Sequence, residues 1–229
     1  MLEALRQQVL EANLGLVRDG LVVETFGNAS GIDRARGLVV IKASGVPYDT
    51  MGPSDLVVTD LDGKVVEGQL RPSSDLPTHI ALYKAFPGIG GVAHTHSRHA
   101  TAWAQARREI PCFGTTHADY FQGAIPVTDE MTPEEIAGDY EWNTGLVIER
   151  RFHGLDPHAM PAVLVAGHAP FSWGEDAIEA GHLAFLLEEV ARLALLTVTI
   201  ESAARPISGA LRDKHFLRKH GPQAYYGQK

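Results

Sequence analysis

Apolar positions recur along the chain with two periods, and the switches between them mark out the elements. Residues 2–18 carry Leu5, Val9, Leu10, Leu14 and Val17 at helical spacing and stop at Gly20, which predicts a helix with one buried face. Short runs of strand character follow at 22–26, 30–33 and 38–41, the last two flanking the turn Arg34-Ala35-Arg36-Gly37. Runs at 56–60 and 64–67 flank Asp62-Gly63, a strong hairpin signal. Ser74 or Asp75 reads as the cap of a helix reaching Phe86, with Pro77 tolerated in its first turn. An apolar strand then runs into His94-Thr95-His96, and a helix over 97–106 follows it.

Residues 110–113 and 124–127 read as strand fragments. Thr132-Pro133-Glu134-Glu135 is a capping box that opens a helix, and Asn143-Thr144 is read as the start of another. An apolar strand over 160–166 ends in Gly167-His168. A long, largely buried helix covers 176–200, a short one 211–219, and the tail 221–229 is polar and carries tyrosines. Strands and helices interleave with hairpins, without repeat or linker. The pattern predicts a single α/β domain over 1–229, a mixed sheet covered on both faces by helices.

Composition narrows the partners. With 229 residues, 45% of them hydrophobic and 21% charged, the chain has an ordinary globular make-up. A net charge of −8 argues against general nucleic-acid binding, so an anionic substrate needs a local cluster of donors. Cys112 is the one cysteine, which excludes an internal disulfide and fits a reducing compartment. The late apolar stretch 193–200 is too short to span a bilayer, and the first helix, bearing Glu3, Arg6 and Glu11, is no secretory signal. A cytoplasmic protein is expected, with no membrane partner.

Chemistry concentrates at strand ends. On an extended strand His94 and His96 project to the same face, half of a metal site for which neutral imidazole suits zinc. His168 also ends an apolar strand, and Asp75 lies at a helix start. Singly, each is more often a residue bonded to backbone or a helix cap. Together, three separate elements ending in ligand-type residues favour a metal. A second group is of phosphate-binding type: Asn28 after Gly27, Lys42-Ala43-Ser44-Gly45 after an apolar strand, and Ser73-Ser74 at a helix N-terminus, where free amides and the dipole favour an anion. Turn and capping chemistry explains each of these singly. The glycines of Gly88-Ile89-Gly90-Gly91 follow a helix and enter a strand, the wrong order for a dinucleotide fingerprint. Of the other histidines, His117 and His215 are candidates for function. His79 and His182 read as packing residues or supports for a ligand, His153 and His158 as surface loop residues, and His99 and His220 have no assignment.

Taken jointly, these segments resemble the class II aldolase/adducin family, and within it the branch that epimerises phosphorylated ketopentoses. The resemblance runs through Gly27-Asn28, Lys42-Ala43-Ser44-Gly45-Val46 and Pro72-Ser73-Ser74-Asp75. It continues in His94-Thr95-His96-Ser97-Arg98-His99-Ala100-Thr101, Gly114-Thr115-Thr116-His117-Ala118-Asp119-Tyr120 and Tyr140-Glu141-Trp142. The tail from Asp213-Lys214-His215-Phe216-Leu217-Arg218 to Ala224-Tyr225-Tyr226 is especially specific. By this resemblance the fold is an α/β/α sandwich around a largely antiparallel sheet. Zinc falls on Asp75, His94, His96 and His168. Substrate contacts fall on Gly27, Asn28, Lys42, Ser44, Gly45, Ser73, Ser74 and Thr116, with His215 and Arg218 nearby, and proton transfer on Asp119 and Tyr226. The family's C4 homotetramers place active sites between subunits, so residues 205–229 are expected to form a helix and tail that reach a neighbour. The implied reaction inverts C4 of a ketopentose phosphate by breaking and remaking C3–C4. Two competitors remain: a class II aldolase that stops at cleavage of a deoxyketose 1-phosphate such as L-fuculose 1-phosphate, and a non-catalytic adducin-like scaffold. Asp at position 75, where the fuculose enzyme's motif carries Glu, and retention of the whole ligand set speak against them.

Overall fold

The computed structural model describes residues 2–226. Its centre is a seven-stranded sheet in the order β4-β3-β2-β1-β5-β7-β6, formed by Gly27–Asp33 (β1), Leu38–Lys42 (β2), Leu56–Asp60 (β3), Val65–Glu67 (β4), Gly91–Thr95 (β5), Ala162–Leu164 (β6) and Pro170–Gly174 (β7). Every strand pairing is antiparallel, and the parallel contact Val127–Leu164 is an isolated bridge. Eight helices accompany the strands among the described residues: Glu3–Arg18 (α1), Leu76–Ala85 (α2), Arg98–Gln105 (α3), Thr115–Ala118 (α4), Pro133–Ala137 (α5), Tyr140–Arg151 (α6), Ala177–Ile200 (α7) and Gly209–His220 (α8). None is long and apolar enough to cross a membrane.

The alternation of the strands divides the core. Ala29, Val40, Val58 and Ala93 meet Val9, Leu16 and Ala180 from α1 and the start of α7. Ile41, Val92, Phe171 and Trp173 meet Leu76, Ile80 and Tyr83 of α2 and Ile148 of α6. Both layers require close approach. A Cβ on Gly91 would collide with the backbone at Asp176, where α7 begins, and one on Gly145 would collide with Ala81 between α6 and α2. Arg34 fastens the exit of α2, its guanidinium donating to the carbonyls of Phe86 (2.9 Å) and Ile89 (2.7 Å) ahead of β5.

Several expectations change. Residues 22–26 form a turn closed by the bridge Val23–Phe26, and the strand begins afterwards at Gly27. Along α1 the buried face is Val9, Ala12, Asn13 and Leu16, whereas Leu14 and Val17 point outward. The helix placed at Asn143 starts at Tyr140, and β7, opened by Pro170, has no marker in the sequence pattern. The apolar run 160–166 supplies only three strand residues, because Gly167, at φ +72°, turns the chain before β7. The last turns of α7 leave the core: Leu193, Leu195, Leu196 and Ile200 are exposed, although Val190, Ala191 and Ala194 remain buried. The capping box at Thr132 is present, with Glu135 N donating to Thr132 Oγ1 at 3.2 Å and Thr132 N to Glu135 Oε2 at 2.9 Å. The tail expected over 221–229 is described as far as Tyr226; 227–229 lie outside the described residues.

Candidate active site

Register builds the centre of the site. Asn28 of β1 stands opposite His94 of β5, and His94 opposite Phe171 of β7, so three strands set these side chains in one row. The His94 ring stacks on Phe171 at 4.1 Å between centroids, and its Nδ1 donates to the Pro170 carbonyl at 2.9 Å. That bond fixes the tautomer and leaves Nε2 with a free lone pair, the arrangement ligating histidines show. His96 leaves the end of β5, and the Gly167 turn delivers His168 beside both. The three ring centroids are 5.0 Å from one another. One ring nitrogen from each lies within 4.8 Å of the others.

A metal fits this donor set. Burial, then the charges of His94 and His96, push His168 down to about 4, and burial, then His94, lower His96 as well. His96 and His168 are therefore neutral at physiological pH, as ligands must be. His168 Nδ1 and Asn28 Oδ1 are buried without a hydrogen-bond partner among the described residues. Asp75 faces the same cavity but stands outside the compact histidine trio. It occupies the N-cap position of α2 without capping it; its Oδ2 instead accepts from Asn28 Nδ2 at 2.6 Å. Burial alone would raise its carboxyl, yet the charges of His94 and His79, the Asn28 bond and the charge of His168 outweigh this and hold it below the usual value.

The phosphate-type donors line the same cavity, whose volume is about 390 Å³. Segments 42–44 and 71–73 run side by side through Ser73 N to Lys42 O (2.9 Å) and Ser44 N to Arg71 O (3.0 Å). This brings Ser44, Gly45, Ser73 and Ser74 to one wall, with Gly27 and Asn28 beside them. Lys42 is 2% exposed, its Nζ donating to the Ala43 carbonyl at 3.2 Å and lying 4.7 Å from the Tyr48 ring; burial lowers its pKa. Tyr140 and Glu141, at the start of α6, complete the lining. A helix begun at Asn143 leaves both in a loop, where the sequence assigns them no role.

The remaining candidates gather elsewhere. Asp119 accepts from Arg218 Nε (3.0 Å) and Nη2 (2.8 Å) and from His215 Nδ1 (3.0 Å). The Arg218 guanidinium lies 4.3 Å from the centre of the Tyr226 ring. Asp119, just after α4, His215 and Arg218 of α8 and Tyr226 beyond it thus form one cluster, and none of them lines the histidine cavity of its own chain. Thr116 lies apart from that cavity too, in a small pocket between α4 and α7. His117, buried and pushed down to about 4, is bonded through Nε2 to the Gly123 carbonyl at 2.7 Å. His220 Nε2 donates to the Asp119 carbonyl at 2.8 Å.

Two supporting residues carry no sequence signal. Glu188 of α7 accepts from the amides of His99 (3.0 Å) and Ala100 (2.9 Å) and from His99 Nδ1 (2.6 Å), capping α3 directly after the histidine strand. Asn13 replaces a missing strand partner. The β1–β2 ladder begins at Ser30, and Asn13 satisfies the Ala29 amide and carbonyl next to Asn28 at 2.9 Å each.

The chain matches the family described as Class II Aldolase and Adducin N-terminal domain over residues 7–195. It is 57% identical over 228 residues to an L-ribulose-5-phosphate 4-epimerase UlaF of Salmonella paratyphi B, and equally to that of Salmonella typhi, covering 100% of both chains in each case. Among solved structures an L-fuculose 1-phosphate aldolase superposes with a TM-score of 0.79 at 24% identity, covering 94% of this chain and 95% of that one. YgbL of Klebsiella pneumoniae, described as a putative aldolase/epimerase/decarboxylase, gives 0.73 at 24% identity over 93% and 97%. The family match and the full-length relatives agree with the histidine cavity at the sheet rim: this chain belongs to the class II aldolase and adducin family.

Proposed function

We propose that the chain is a cytoplasmic epimerase that interconverts L-ribulose 5-phosphate and D-xylulose 5-phosphate. The observation that carries this is one cavity with three histidines placed to hold a metal at one side and phosphate-type donors at the other. The names of the full-length relatives support the substrate.

The C4 hydrogen of a 2-ketose lies β to the carbonyl, so its removal gives no enolate, and inversion proceeds instead by breaking C3–C4. Ser44, Ser73, Ser74, the Gly45 amide and Lys42 hold the phosphate and so fix C5. His94, His96 and His168 would hold zinc, with Asp75 as the fourth ligand. When bound there, zinc supplies Lewis-acid stabilisation for the negative charge left on the three-carbon fragment. A base takes the C4 hydroxyl proton as the bond breaks, releasing glycolaldehyde phosphate. The aldehyde turns its other face, the bond re-forms, and an acid returns the proton. Inversion needs proton-transfer groups on opposite faces, and Asp119 and Tyr226 take these roles. Because their cluster does not line its own chain's cavity, a neighbouring subunit supplies it within a C4 homotetramer, with α8 and the tail as the crossing segment.

Incubation with L-ribulose 5-phosphate tests the reading. D-xylulose 5-phosphate should accumulate to equilibrium. Release of glycolaldehyde phosphate without epimer would point to an aldolase, and no turnover by metal-loaded protein would point to the scaffold.

A further inference from the structure

Behind the metal centre runs a chain of buried polar groups that the reaction above does not use. His79 lies on α2, one turn beyond Asp75, and its backbone amide donates to the Asp75 carbonyl at 3.1 Å. Its ring is fully buried; burial pushes it down to about 3, so it is neutral. His79 Nδ1 is 2.7 Å from Ser30 Oγ, and Ser30 Oγ is 2.8 Å from Tyr83 Oη. His79 Nε2 is buried with no hydrogen-bond partner among the described residues.

Counting protons orients this chain. Suppose Nδ1 carries the ring proton and donates to Ser30. Serine then donates to tyrosine, the tyrosine hydroxyl has no other acceptor among the described residues, and Nε2 is a bare acceptor facing no donor. Two buried groups are left unsatisfied. In the reverse order Tyr83 donates to Ser30, Ser30 donates to Nδ1, and Nε2 carries the proton. Only that N–H then lacks a partner, so the reverse order is favoured. A buried N–H delivered this way requires an acceptor. Asp75, one turn earlier at the N-cap of α2 with its carbonyl accepting from the His79 amide, is the carboxylate whose charge acts on this ring.

We propose that His79 is a positioning residue of the metal centre. The Tyr83–Ser30–His79 chain fixes its ring as an Nε2–H donor that holds the Asp75 carboxylate in its ligating orientation, directly or through one buried water. The proposal rests on the reading of Asp75 as a metal ligand. Carboxylates and histidines that ligate metals are routinely held by such outer partners, whose loss costs roughly 10–100-fold in metal affinity.

The test compares two amides. Glutamine places its side-chain N–H near the histidine Nε2 position, whereas asparagine reaches only to Nδ1. In zinc titrations of purified protein, His79→Gln should keep its affinity within a few-fold of the parent, and His79→Asn should lose roughly 10–100-fold. Equal affinity in both variants, whether retained or lost, overturns the proposal, because a purely structural bond to Ser30 would favour asparagine. Ser30→Ala leaves the ring in place and removes the hydroxyl that keeps Nδ1 bare. It should weaken zinc several-fold, and unchanged affinity counts against the chain. The ¹⁵N shifts of the His79 ring should report protonated Nε2 and bare Nδ1; the opposite tautomer overturns the assignment. His96→Asn is the control. If that variant still binds zinc like the parent, the metal reading itself has failed, whereas its loss of zinc beside an unaffected His79→Asn fails only the positioning role of His79.

Discussion

The histidine cavity and the Asp119 cluster differ in how they are held. The cavity is set by the sheet: register aligns Asn28, His94 and Phe171, and two turns bring in His168 and Asp75. Asn28, Lys42, Ser73 and His94 are buried, and burial, then neighbouring imidazoles, lowers His96 and His168. The Asp119 cluster is set by ion pairs between a one-turn helix and α8, with Tyr226 half exposed on a chain segment beyond the helix. In the proposed reading the first is a half-site loaded before substrate arrives, and the second is completed by docking against another chain, with close placement left to strands and the crossing groups to α8 and the segment after it.

The largest effect that can separate the two regions is loss of the metal. His96→Asn should abolish both zinc binding and turnover while leaving the thermal unfolding of the zinc-free protein near that of the parent, since the ring sits at the rim of the fold. Stoichiometric zinc in a folded protein lacking all three imidazoles would dismiss the site.

The second effect tests the boundary. Tyr226→Phe keeps the ring and removes the hydroxyl, so epimerisation should fall ~10²–10⁴-fold, the range for a positioned acid–base group, with zinc content unchanged. Asp119 and Tyr226 belong to one cluster, so Tyr226→Phe should not complement an Asp119 variant. It should complement His96→Asn, because mixed assemblies contain sites with an intact cavity from one chain and an intact cluster from the other. Verified subunit exchange without recovered activity would show that each chain completes its own site.

How much of this was legible follows the same division. His94 and His96 could be read because alternation along a strand is a local rule, and the donors at 42–45 and 73–75 because serine and glycine clusters after apolar runs are local as well. The seven-stranded order was not local. It depends on β7, whose start at Pro170 masks it, and on the turn at Gly167. Asn13 and Glu188 were silent because each acts on backbone far away in sequence, at Ala29 and at His99. Asp75 looks like a cap by position; only the structure shows its carboxylate turned toward Asn28. The resemblance puts Thr116 among the substrate contacts, and in a single chain it faces α7 instead.

A third, smaller effect probes the phosphate wall. Lys42→Met keeps the stem packed near Tyr48 and removes one charge-assisted contact worth about 1.5–3 kcal/mol. KM for the phosphorylated ketose should rise ~10–100-fold with zinc affinity unchanged. A KM equal to the parent's would remove Lys42 from the phosphate site.

The smallest effect concerns how firmly α8 holds the second region, and its sign follows from Asp119. Burial alone would raise that carboxyl, but hydrogen bonds from Arg218 and His215, and their charges, outweigh it and hold the group below its usual value. A carboxyl with a depressed folded-state pKa contributes stability that is fully present above its unfolded value of about 3.9 and is lost as pH falls through the lower folded value. The docking of α8 should therefore be insensitive between pH 8 and about 5 and weaken below about 4, while the sheet persists. Hydrogen exchange, corrected for intrinsic rates, reads this as a rise in α8 amide exchange relative to α2. Asp119→Asn should show the faster α8 exchange already at neutral pH and lose the acid step. An α8 as protected as α2 down to pH 3 would mean that apolar contacts such as that of Phe216, not the ion pairs, hold the helix, and the contrast between a sheet-built and an ion-paired half-site would then fail.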